Sequence, residues 1–147
     1  MPEEKYRVEV ADRLHSAAIH LLRTAAKTDM QSGQGPARLS ALSVLVFGGP
    51  KTLGQLAAAE LVKPPTMSRI VAGLKQSGLA RIQNDDSDAR KILISVTAKG
   101  ERLLHQARRR RIQLLAENLK SLKDADLKAL SNASELIEQM LVPRRPL

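Results

Sequence analysis

The chain contains no cysteine, which excludes disulfides, thiolate catalysis and cysteine redox sensing. Aromatic residues make up 1% of the sequence, Tyr6 and Phe47 alone. Modules that bind single-stranded nucleic acid or RNA usually stack bases on several rings, so this scarcity argues against them. No apolar run approaches the roughly 18 residues of a membrane span. No apolar run follows a basic stretch at Met1-Pro2-Glu3-Glu4-Lys5, so neither a signal peptide nor a membrane partner is expected, and a cytoplasmic protein is. There is no nucleophile–base pair, glycine-rich phosphate loop or metal-ligand cluster, so an enzyme is not expected.

What remains is an ordinary globular balance with a basic excess. Apolar residues account for 43% and charged residues for 27% of 147 residues, enough for one domain with a core. The net charge is +9, which points to a polyanionic partner. Residues 1–37 are neutral overall, residues 38–100 carry a net +5 and residues 101–147 a net +4. The excess therefore begins with the segment that holds the distinctive motifs.

Leu14, Ala18, Leu22 and Ala25 keep helical spacing and predict a helix over residues 7–30, with a loop at Gln31–Pro36. Ser40 is a candidate N-cap for a short helix Ala41–Phe47 that stops at Gly48-Gly49-Pro50. Thr52 would cap a second short helix, Leu53–Glu60. Pro64 and Pro65 would open a third, ending near Ser77 before Gly78. Leu79–Gln83 and Lys91–Val96 read as two strands around the turn-forming Asn84–Arg90. Thr97 would cap a long helix to about Leu119, and Ser121 with Asp124 suggests a capping box before a last helix, Lys123–Leu141. Pro143 would stop that helix ahead of a basic tail, Arg144-Arg145-Pro146-Leu147.

The expected fold is mainly α with a small β-hairpin wing, a winged helix-turn-helix. Ala57 would let Leu53–Glu60 and Pro64–Ser77 approach closely, with Val62, Met67 and Ile70 as their contacts. The second of these helices would enter a major groove of double-stranded DNA, presenting Pro64, Pro65, Thr66, Ser68 and Arg69. Arg69 suits a bidentate contact to guanine. Thr52, Lys63 and Lys75 suit the DNA backbone. At the hairpin tip Arg90, with Lys91 beside it, could reach a minor groove, and Asp88 could hold the Arg90 guanidinium by a charge-assisted pair.

In order and spacing these segments resemble the MarR (multiple-antibiotic-resistance regulator) family. The resemblance rests on Leu56-Ala57, on Pro65-Thr66-Met67-Ser68-Arg69-Ile70-Val71, on Leu74 with Gly78-Leu79, on Asp85-Asp86-Ser87-Asp88-Ala89-Arg90 and on Val96-Thr97-Ala98-Lys99-Gly100. These are similar to the family's recognition helix, its Asp-x-x-Asp-x-Arg wing and its Leu-Thr-x-x-Gly lead into the long helix. The resemblance implies a homodimer joined through its N- and C-terminal helices. It also implies a pseudo-palindromic operator, repression of transcription, and release by a small aromatic or phenolic effector. It divides the chain into an N-terminal dimerisation segment 1–37, a DNA-binding segment 38–100 and a C-terminal dimerisation segment 101–147, all in one structural domain.

Three departures stand out. Ala72-Gly73 occupies positions where the family often has an acid followed by Arg. A glycine inside the recognition helix costs about 1 kcal/mol of helix propensity, and close packing or close approach to DNA would each explain it. Asp86 replaces a frequent Pro, and Ala89 a frequent Arg or Gly, so the wing is less basic than usual.

Other features read more blandly. Arg108–Arg111 point nearly all round a helix at 100° per residue, so at least one must face the helix's apolar stripe or a dimer partner and should find an acid there; DNA contact is the weaker reading. His15 and His20 lack the i,i+4 spacing of helix metal ligands, and neither a metal nor a cofactor is expected. His15, Ile19 and Arg23 are candidates to line an effector pocket, with core or interface as the alternative. A non-specific architectural DNA binder is the competing function.

Overall fold

The computed structural model describes residues 1–142; the expected Pro143 stop and basic tail lie outside them. Two compact units emerge, Met1–Ile112 and a second beginning at Gln113.

The first helix, α1, runs Pro2–Ala26, earlier at both ends than residues 7–30. Pro2 sits at the opening turn, where a missing N–H is harmless, and Glu3 and Glu4 meet the positive end of the helix dipole. The other end closes because the Thr28 hydroxyl donates to the Ala25 carbonyl at 2.9 Å. A 3-10 turn, Asp29–Ser32, then ends at Gly33 with φ 73°. Helix α2 spans Pro36–Gly48. Ser40 is therefore interior rather than the cap, because Pro36 takes the first helical position behind Gly35.

Helix α3 covers Leu53–Ala59, with Thr52 and Gln55 forming a complete capping box. The turn after it holds Leu61 in the left-handed region at φ 54°. Helix α4 runs Pro64–Gln76 and buries Met67, Val71, Gly73 and Leu74. Strands β1 (Ala80–Asn84) and β2 (Ile92–Val96) pair antiparallel with Ile82 opposite Ile94. Lys51 extends the hairpin, since its backbone exchanges both hydrogen bonds with Ile94, at 3.0 and 2.8 Å.

Helix α5 spans Ala98–Leu119, and the Thr97 hydroxyl accepts from the Gly100 N–H at 3.1 Å as its cap. The last helix, α6, is Asp124–Leu141. The Ser121–Asp124 capping box does not form. Ser121 instead donates back to the Asn118 carbonyl at 3.3 Å, and Lys123 precedes the helix without a side-chain cap. Asp124 and Asp126 complement the dipole of its first turn.

The core lies in the first unit. Leu42 and Leu45 from α2, Leu56 from α3, Met67 and Leu74 from α4, Ile94 from β2 and Leu104 from α5 form one buried cluster. Each such side chain contributes roughly 1.5–3 kcal/mol by leaving water. Val62 and Ile70 pack against that cluster, and Ala57 is buried within it, so the expected helix-turn-helix contacts are present. The fold is mostly helical with a two-stranded wing, the architecture expected from the sequence.

Candidate nucleic-acid interface

Helix α4 separates its residues by period. Met67, Val71 and Leu74 point inward, while Pro65, Thr66, Ser68, Arg69 and Lys75 are exposed. Two prolines at the start remove N–H groups that no helix could satisfy, so the outer face begins in the first turn. No ion pair among the described residues includes Arg69, so its guanidinium is free to meet an anion.

The backbone candidates flank this face. Lys63 precedes α4 and is exposed. Thr52 spends its hydroxyl oxygen on the Gln55 N–H at 3.2 Å, which leaves the hydroxyl hydrogen for a phosphate. Lys51 is committed elsewhere, donating to the Gly48 carbonyl at 2.7 Å.

The wing tip is built from two short side-chain turns. Asp85 accepts from the Ser87 N–H at 3.1 Å and the Ser87 hydroxyl at 3.0 Å. These bonds, with help from the nearby Lys91 charge, hold the Asp85 carboxyl below its ordinary range. Asp88 accepts from the Arg90 N–H at 3.0 Å. The expected Asp88–Arg90 side-chain pair is absent: the carboxylate shapes the backbone beneath Arg90, as an Asp does in a tight turn. Arg90 and Lys91 are both exposed at this tip. Arg81, exposed on β1 opposite Ser95, is a further cation that strand alternation alone could have flagged.

Gly73 owes its place to packing. A Cβ there would lie 2.5 Å from Cζ and 2.7 Å from Nε of Arg38, whose guanidinium rests against α4.

A cavity of about 430 Å³ opens elsewhere in the first unit, lined among others by Leu22, Asp29, Leu39, Phe47, Leu104 and Arg111. None of the three expected pocket residues lines it; His15 and Arg23 are exposed and Ile19 is half-buried. The cavity sits beside the last turn of α1 (Leu22, Ala26), beyond the turns that carry His15 and Ile19; Arg23 shares that last turn but is exposed and outside the lining. On its wall the Arg111 guanidinium donates to both carboxylate oxygens of buried Asp29, at 2.7 and 2.6 Å. Arg111 is thus the inward arginine that the run 108–111 required. The bond to Asp29 raises its pKa further above an already high value. Among the described residues no group of three or more His, Asp or Glu side chains could hold a metal. No helix there is long and apolar enough to cross a membrane.

The profile of the MarR family matches residues 32–91. An HTH-type transcriptional regulator of Mycobacterium leprae is 35% identical over 132 residues, covering 90% of this chain and 92% of that protein. The chain belongs to the MarR family. An HTH-type transcriptional regulator of Mycobacterium tuberculosis is 34% identical over 128 residues, 87% of this chain and 90% of that one. The fold of this MarR-family chain also matches solved structures. A MarR family protein from Bacillus stearothermophilus superposes with a TM-score of 0.81 at 22% identity, over 94% of this chain and 96% of that one. BpsR of Bordetella bronchiseptica, whose DNA binding is regulated by 6-hydroxynicotinic acid, superposes with a TM-score of 0.65 at 21% identity, over 92% and 94%.

Proposed function

We propose that this MarR-family regulator is a homodimeric repressor that binds a pseudo-palindromic operator in double-stranded DNA. The observation that carries the reading is the exposed, anion-free face of α4, with Arg69 at its centre and a wing that presents Arg90. The α4 face would enter a major groove and Arg90 the flanking minor groove.

A second copy is inferred from uncovered apolar side chains. On α1 they include Tyr6, Val8, Leu21 and Leu22; on α6 they include Leu127, Leu130, Leu136 and Met140. Helix α6 buries no residue at all within the single chain. Apolar surface on this scale marks an association face. The cavity is the natural seat for a small effector, and the ligand-regulated BpsR gives that idea a precedent in a related fold. The reading assigns the chain no catalytic role and no cofactor.

Fluorescence anisotropy with duplex DNA from the chain's own upstream region, at near-physiological salt and with excess competitor, tests the proposal. Competitor-resistant binding with two chains per site is expected. Equal affinity for scrambled duplex would favour the architectural alternative. Arg69→Ala should weaken operator binding by about 1–3 kcal/mol and relax the preference at one base pair. Unchanged operator affinity would remove α4 as the reading element.

A further inference from the structure

Arg38 occupies a position that ordinary helix chemistry disfavours. It lies in the first turn of α2, behind Gly35 and Pro36, where the helix dipole is positive and no acidic residue compensates. It is half-buried. No ion pair among the described residues includes it. Its one hydrogen bond among them runs from Nη1 to Gln34 Oε1 at 3.1 Å, and a guanidinium has five N–H donors. A cation held there without a carboxylate suits an anion from outside the chain.

The geometry says which anion it can meet. The Arg38 guanidinium lies against Gly73, in a space that a side chain at that position would fill. Thr66, Arg69 and Gly73 follow i, i+3, i+7 spacing and share one stripe of α4. Arg38 thus adds a cation from α2 to the edge of the face that carries Arg69, about one helical turn further along.

We infer that Arg38, passed through the notch at Gly73 and oriented by Gln34, is a phosphate-contacting residue of the duplex site. The inference rests on the duplex-binding reading above. A planar guanidinium pairs with phosphate oxygens through two parallel N–H bonds, and the contact would set register without reading a base.

The probe is a duplex that the wild-type protein selects from a random-sequence pool, titrated by anisotropy across a salt series. Arg38→Ala should bind it about tenfold more weakly, with the log–log salt slope reduced by about one and the base preference unchanged. Arg38→Lys should restore most of the slope. Gly73→Ala removes no charge but pushes the guanidinium aside. It should weaken binding in the wild-type background and add nothing in the Arg38→Ala background. Three results would each overturn the inference alone: wild-type affinity in Arg38→Ala, a weaker affinity with an unchanged salt slope, or a Gly73→Ala effect that persists without Arg38. If the wild-type protein selects no duplex, the duplex reading fails and takes the inference with it.

Discussion

Arg111→Met should destabilise the folded chain by about 3–5 kcal/mol, because it strands a buried carboxylate. Asp29 is only 2% exposed at its side chain, and the Arg111 fork supplies both of its strong donors. The methionine keeps the apolar stem but leaves that charge with no partner inside the protein. The reverse change is milder. The Arg111 side chain is 35% exposed, so when Asp29→Asn removes the carboxylate the guanidinium still reaches water. A loss of about 1–2 kcal/mol is expected from that variant. The double variant should be more stable than the sum of the single losses, since no charge remains stranded. Urea unfolding of all three at matched protein concentration measures this order. An Arg111→Met loss below about 1 kcal/mol, or an Asp29→Asn loss as large as it, would mean that the carboxylate is solvated in a way the bidentate geometry does not suggest. The pair also ties the turn between α1 and α2 to α5, so its loss loosens one wall of the cavity.

The winged unit was legible because its signals are local. Thr52 announces α3, Pro64 and Pro65 open α4, Gly78 closes it, and Thr97 starts α5, each acting within a few residues. Signals that look local but have two outlets misled. Ser121 fits a capping box, yet its hydroxyl serves the helix before it; Ser40 fits a cap, yet Pro36 had already started the helix. Long-range partners were beyond reach. Helical rotation requires one arginine of the run 108–111 to face inward, but nothing near it names Asp29, 82 residues away. His15, Ile19 and Arg23 lie outside this cavity's lining for a related reason, since one helix reveals neither which of its turns nor which side of a turn meets α2 and α5. The reason for Gly73 lies in Arg38, on another helix, so sequence left its two explanations open.

Two helix glycines, Gly73 in α4 and Gly100 in the first turn of α5, should respond to alanine with opposite signs of stability. Propensity alone predicts that both substitutions stabilise by about 1 kcal/mol. At Gly73 a new Cβ meets the far end of an arginine, which can swing away, so the gain should survive. At Gly100 the Cβ would fall on the Leu79 carbonyl oxygen, with Leu79 C at 3.0 Å and Val96 Cγ2 at 2.9 Å. That oxygen cannot retreat, because it accepts from the Thr97 N–H at 3.0 Å. Two further bonds fix the same junction: the Thr97 hydroxyl to the Gly78 carbonyl at 2.6 Å, and Lys99 Nζ to the Ser77 carbonyl at 3.0 Å. Making room for a methyl group requires α5 to move off Leu79 and the end of β2, and these bonds to stretch together. Gly100→Ala should therefore lose about 3 kcal/mol net, the upper range for overpacking against a rigid wall. A melting temperature at or above that of the wild type would show that the junction yields. If the junction holds, duplex affinity should fall along with stability. Ser77 and Gly78 end the helix that carries Arg69, and a displaced α5 changes the angle between that helix and the wing.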